Sequence, residues 1–163
     1  MGDELSDEAK ARKELLWGMY SDLRTHARHA ETLRSNVVNA MIVVASVLIA
    51  VVANDGNVTR KDLPLCLALL VIGPLGLLFA ASYTELYERN RRRAVLIRDT
   101  LETEFLGSDG PTITALLDDS DEQHEATALY RWSRRLTGST RRFWFILPGL
   151  ILLAALILTF VAW

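Results

Sequence analysis

At 163 residues, half of them apolar, the chain has the size of one domain, and its net charge of −2 says less than the way the charge is distributed. Its single cysteine, Cys66, excludes an internal disulfide framework. The apolar residues gather into three charge-free blocks, 37–53, 63–82 and 143–163, which argues against an ordinary soluble core.

Residues 1–36 carry the pattern of a long amphipathic helix. Ser6, followed by Asp7 and Glu8, makes an N-terminal cap and an acidic first turn that suit the helix dipole. Leu16, Tyr20, Leu23, Ala27, Ala30, Arg34 and Val37 alternate spacings of four and three, so they fall on one seam. No proline interrupts this seam before the first apolar block, and Gly18 is the one loosening residue within it, so one helix is predicted to run from the first segment into the block. The segment is rich in charge and lacks the apolar core of a signal peptide. Met1-Gly2-Asp3-Glu4-Leu5-Ser6 has the spacing of an acylation signal, which the acids after Gly2 and the three apolar blocks argue against.

The first block spans about 26 Å as a helix, with Asn36 and Asn54 at its ends. Asn54-Asp55-Gly56-Asn57 predicts a tight turn into the second block. Asn57-Val58-Thr59 fits a glycosylation triplet, but its position in a short loop against a membrane argues for chance. Within the second block, Gly73-Pro74-Leu75-Gly76 predicts a kink, and Gly76 with Ala80 offers a close-approach face for another helix. Asn39 and Ser46 supply polar groups for such a contact. Cys66 lies inside this second block and is read as an inert packing residue.

Beyond Ser82 the helix is predicted to continue, because Tyr83, Tyr87, Asn90, Ala94, Ile97 and Leu101 repeat the four-three spacing. The seams 16–37 and 83–101 are then expected to pair as an antiparallel stalk, the alternative being contact with another subunit. Gly107-Ser108-Asp109-Gly110-Pro111 ends the helix, and Asp99 to Glu125 holds nine acids and no base. Ser120, with Gln123 in capping-box position, predicts a further helix running to about Thr137, before Gly138-Ser139 breaks it. The last block, Phe143–Trp163, spans about 31 Å and carries a second kink signal at Pro148-Gly149. That kink makes it a candidate for subunit contact or conformational change.

Lys and Arg divide as six in residues 1–36, two in 54–62 and ten in 83–142. The positive-inside rule therefore places the N-terminus and 83–142 in the cytoplasm, with 54–62 and Trp163 outside. The expected architecture is an all-α integral membrane protein with three transmembrane helices and a helical cytoplasmic portion. Its parts are a cytoplasmic amphipathic helix (1–36), a transmembrane hairpin (37–82, crossing at 37–53 and 63–82), cytoplasmic helices with an acidic linker (83–142) and a third transmembrane helix (143–163). Arginine outnumbers lysine fifteen to three, as suits a GC-rich bacterial genome, and a bacterial inner membrane is the expected location.

Asp22, His26 and His29 share one helix face and form a metal-binding or pH-sensing candidate, although solvated or paired side chains are the commoner outcome of such spacing. Asp118-Asp119-Ser120-Asp121 with His124 and Glu125 invites a calcium reading but lacks the glycine and terminal glutamate of an EF-hand loop. Arg91, Arg92, Arg93, Arg141 and Arg142 are placed to meet anionic lipid headgroups rather than nucleic acid. No phosphate-binding glycine loop, nucleophile motif or paired catalytic carboxylate is recognisable, so neither an enzyme nor a cofactor is expected.

The stretch Tyr20-Ser21-Asp22-Leu23-Arg24, continuing through His26-Ala27-Arg28-His29-Ala30-Glu31 into an apolar hairpin and then Tyr83 to Glu104, resembles the SLATT-type families of small bacterial membrane proteins. The resemblance covers roughly residues 15–105 and rests on the order of parts; the third span is additional to the usual two-span plan, and no functional residue carries over. Such families occur beside nucleotide-signalling and anti-phage systems and are thought to be membrane-perturbing effectors. The resemblance implies a homo-oligomeric effector responding through its cytoplasmic helices. A membrane scaffold recruiting a protein partner through the stalk is the alternative, and metal uptake through Asp22, His26 and His29 a third.

Overall fold

The structure, a computed structural model, describes residues 6–54, 56–106, 111–137 and 140–163, with the side chains at 133, 136–137, 140–141 and 143 outside that description. The acylation-like residues 1–5, Asp55 of the expected turn, the helix-ending residues 107–110 and the expected break at Gly138-Ser139 lie outside the described residues. Among the described residues there are five α-helices: α1 (Asp7–Ala53), α2 (Leu63–Phe105), α3 (Ile113–Glu125), α4 (Ala128–Thr137) and α5 (Thr140–Ala162). Among the described residues there is no strand. Three helices are long and apolar enough to cross a membrane.

α1 starts where the local chemistry dictates, since the Ala9 amide donates to Ser6 Oγ at 3.2 Å. It passes Gly18 without interruption and ends before Gly56, whose φ of 73° is the left-handed backbone a tight turn needs. α2 likewise continues from the second apolar block through Pro74 to Phe105.

The chain forms two compact units, and α1 and α2 contribute to both. Unit 1 contains Met1–His29 and Leu86–Arg135; unit 2 contains Ala30–Glu85 and Leu136–Trp163. In unit 1 the predicted seams turn inward: Ala27, Asn90 and Ala94 are buried, while Leu16, Tyr20, Leu23, Tyr87, Ile97 and Leu101 are half-buried. Arg12 donates two parallel bonds to Glu104, Nε to Oε2 at 2.8 Å and Nη2 to Oε1 at 2.7 Å, tying the start of α1 to the end of α2. That bidentate pair raises the Arg12 pKa, chiefly through the hydrogen bonds to Glu104.

Unit 2 packs three helices on one another. Ala45, Leu69 and Ala155 form one buried cluster, and Val52, Cys66 and Ala162 form a second. As the α1 number rises from 45 to 52, its α2 neighbour falls from 69 to 66, the signature of antiparallel helices. α5 thus packs on the hairpin within one chain. At one end of the unit Arg60 Nε donates to the Trp163 carbonyl at 3.3 Å, satisfying a carbonyl left over after the last turn of α5.

Small residues make the close approach possible. A Cβ at Gly73 would lie 2.8 Å from Leu152 Cβ and 2.9 Å from Leu152 Cα; one at Gly76 would lie 3.0 Å from Pro148 Cβ and 3.1 Å from Met41 Sδ. Ala80 and Pro148 are fully buried. The Gly76–Ala80 face is therefore filled inside the chain, by α5 and α1, and is not open for a second copy. At Gly149 an added Cβ would meet nothing within 4 Å, so that glycine packs against no neighbour.

These distances predict a graded series in thermal unfolding. Gly73→Ala meets backbone that must shift and is expected to cost about 1–3 kcal/mol; Gly76→Ala, opposed partly by a flexible methionine, should cost less. Gly149→Ala should be neutral or stabilise by up to about 1 kcal/mol through helix propensity. An unfolding temperature for Gly149→Ala below that of Gly73→Ala contradicts this packing.

Candidate functional site

Unit 1 contains a cleft of about 390 Å³ lined by Lys13, Trp17, Tyr20, Arg98, Leu101, Glu102, Phe105, Leu106 and Ile113. Trp17 and Tyr20 stand three apart on α1, with ring centroids 5.6 Å apart and tilted, and Phe105 supplies a third ring from the end of α2. Ile113 closes one side at the first residue of α3. Most of the lining is apolar, and the charges are disposed unequally. Arg98 turns to Asp99 at 3.1 Å, Glu102 is bound to α3, and Lys13 stands at the rim, exposed to solvent. An apolar cleft with aromatic walls and one cation at its edge suits an apolar or amphipathic guest.

Glu102 holds this wall together. The Thr114 amide donates to Glu102 Oε1 at 3.0 Å and the Thr114 hydroxyl to Oε2 at 2.6 Å, while the Ala115 amide donates to Thr112 Oγ1 at 3.0 Å. The free amides at the start of α3 are thus met both by its own N-cap and by a carboxylate from α2. The Thr114 hydrogen bonds, with help from the charge of Arg98, lower the Glu102 pKa. This corrects the helix expected to start at Ser120: α3 begins at Ile113, Ser120 lies inside it, and Gln123 donates to Asp119 at 3.0 Å instead of closing a capping box. The helix expected to reach Thr137 is broken at Ala126–Thr127, where Thr127 Oγ1 donates to the His124 carbonyl and accepts from the Tyr130 amide to open α4.

Unit 2 holds a second polar centre, around Arg34. This seam residue is only 5% exposed. Its Nη1 donates to Thr84 Oγ1 at 3.1 Å, its Nη2 lies 3.7 Å from Glu31 Oε1, and its guanidinium carbon sits 4.6 Å from the centre of the Trp144 ring. Thr84 in turn donates to the Ala80 carbonyl at 2.6 Å. One cation therefore engages α1, α2 and α5 together.

Of the residues singled out in the sequence, Asp22 and His26 come together at 3.4 Å, both solvent-exposed, while His29 is exposed without joining them. Among the described residues no group of three His, Cys, Asp or Glu side chains is placed to hold a metal ion. Arg91, Arg92 and Arg93 are exposed on α2, Arg142 is exposed on α5, and the Arg141 side chain is outside the described set. Sequence reasoning missed the cleft, Glu102 and the role of Arg34. The one available signal was a lone arginine on a seam otherwise built of apolar and aromatic side chains.

The class these features define is an all-helical chain with, among the described residues, three helices long and apolar enough to cross a membrane. No family model matches the chain, and comparison with curated proteins and with solved structures finds no match either.

Two outcomes follow. Arg34→Ala should weaken docking of α5 on the hairpin by about 2 kcal/mol or more, the scale of a desolvated cation–π contact. Faster hydrogen exchange in α5 is its signature; unchanged exchange there contradicts the role. A carboxyl whose folded pKa is lowered contributes stability present above its ordinary value of 4.5 and lost as pH falls through the lower folded value. The Thr114 amide resonance should therefore shift with a midpoint below 4.5, and Glu102→Gln should abolish that titration. A midpoint at or above 4.5 contradicts the cap.

Proposed function

We propose that the chain is a non-enzymatic, oligomeric, multi-pass protein of a bacterial inner membrane that acts as a membrane-perturbing effector. Its cytoplasmic helices receive a signal in the unit 1 cleft, and its three apolar helices act on the bilayer. The observation that carries this reading is the outward apolar surface of unit 2. Only 17%, 28% and 17% of the three most apolar stretches are buried within the chain, so lipid or further copies must cover the rest. Val43, Val47, Val71, Leu78, Leu153 and Phe160 lie on that surface. With the Gly76–Ala80 face occupied, self-association uses these outer faces.

The cleft supports the signal-receiving half, being roomy, aromatic-walled and lined by residues of unit 1. The excess of Lys and Arg in 1–36 and 83–142 supports a cytoplasmic location for both segments, and the layout of residues 15–105 supports kinship with SLATT-type effectors. A scaffold that recruits a protein through α1 is favoured by one observation: Leu15 and Met19, four residues apart on one face of that helix, are exposed.

Induced expression in bacteria, read with a potential-sensitive dye, separates the two. The effector reading predicts loss of membrane potential and a mass above monomer in detergent. An intact potential with a monomeric particle contradicts it, and an intact potential with a stably co-purifying protein supports the scaffold.

A further inference from the structure

α4 is short and sharply two-sided. Leu129 and Trp132, three apart on one face, are 74% and 62% exposed. The opposite face is held within unit 1: the Tyr130 hydroxyl donates to Glu125 Oε1 at 2.7 Å, Arg134 Nη1 reaches the same oxygen at 3.2 Å and also the Tyr130 hydroxyl, and the His124 ring meets the Tyr130 ring edge-on at 5.3 Å. This polar lock raises the Tyr130 pKa, chiefly through its bond to Glu125, and fixes which way α4 turns. The apolar pair is left uncovered, with exposed Arg131 and Arg135 on one flank.

We propose that this face of α4 lies on an anionic lipid surface, Leu129 and Trp132 entering the headgroup–acyl boundary and Arg131 and Arg135 meeting lipid phosphates. Short helices with tryptophan and leucine on one face and arginine beside it bind such surfaces through buried apolar area plus charge. Between Ala126 and Trp144 there are five arginines and no acid. A second copy offering the same patch would bring like charges together. Position agrees with charge: only residues 138–143 separate α4 from the apolar run starting at Trp144, a reach of at most about 25 Å. The acids Asp118, Asp119, Asp121 and Glu122 are confined to α3, farther along the chain from that run. The inference rests on reading α5 as a membrane span.

Spin labels on the full chain in vesicles test both. In a Cys66→Ala background, labels go at Leu129→Cys, at Asp119→Cys as an aqueous reference and at Leu156→Cys on the exposed side of α5. Power saturation by oxygen, which partitions into lipid, is compared with that by a water-soluble nickel chelate. In vesicles containing phosphatidylglycerol, the 129 label should be relaxed several-fold better by oxygen than by nickel, and the 119 label the reverse. Replacing that lipid by phosphatidylcholine, or making Arg131→Gln with Arg135→Gln, should draw the 129 label toward water. A 129 label that is aqueous while the 156 label is in lipid overturns the inference and leaves the membrane reading intact. A 129 label shielded from both reagents means a protein covers the face and also overturns it. An aqueous 156 label overturns the membrane reading itself.

Discussion

The buried guanidinium of Arg34 is the constraint on which unit 2 depends. A cation taken out of water is tolerated only where other groups replace its hydration. Here the replacements come from each neighbouring element: Glu31 on its own helix, the Thr84 hydroxyl on α2 and the Trp144 ring on α5. Rotating or sliding any of the three helices removes one of these partners. Arg34 therefore sets the register, and the glycines and alanines set how closely the helices approach. Within the bilayer proposed for this unit, lipid tails are as apolar as the helix surfaces, so packing and polar ties rather than hydrophobic burial hold the helices together.

Unit 1 follows a different rule. Its seams close where Ala27 and Ala94 are buried, whereas nearer the start of α1 and the end of α2 the large rings of Trp17, Tyr20 and Phe105 border a cleft. Glu102 belongs to both the cleft lining and the N-terminus of α3. A guest in the cleft thus touches the residue that seats α3, which gives binding a direct mechanical consequence in the proposed effector.

Much of this was legible in the sequence. The seams through Leu16–Val37 and Tyr83–Leu101 could be read because a four-three repeat is a local property of helices, and the continuity of α1 and α2 because nothing near residues 37 or 82 breaks a helix. Ser6 could be read as a cap because its partner is three residues away. What failed did so through distance in the chain. Ser120 carried the local signal for a helix start, but the true start at Ile113 is stabilised by Glu102, twelve residues before Thr114. Arg34 looked like one more seam residue because Thr84 lies fifty residues downstream and Trp144 farther still. Gly76 and Ala80 were visible as a close-approach face, yet sequence could not say that Pro148 and Met41 of the same chain fill it.

The central claim is that α5 folds back on its own hairpin, leaving the outer apolar faces uncovered within the chain. Cys66 makes a direct test possible, because it is buried in one cluster with Ala162. In Ala162→Cys protein held in membranes and treated with a mild oxidant, the fold predicts a crosslink within one chain, seen as loss of both thiols without a gain in mass to dimer. Crosslinks formed only between chains would show that α5 packs on a neighbour and would contradict the account.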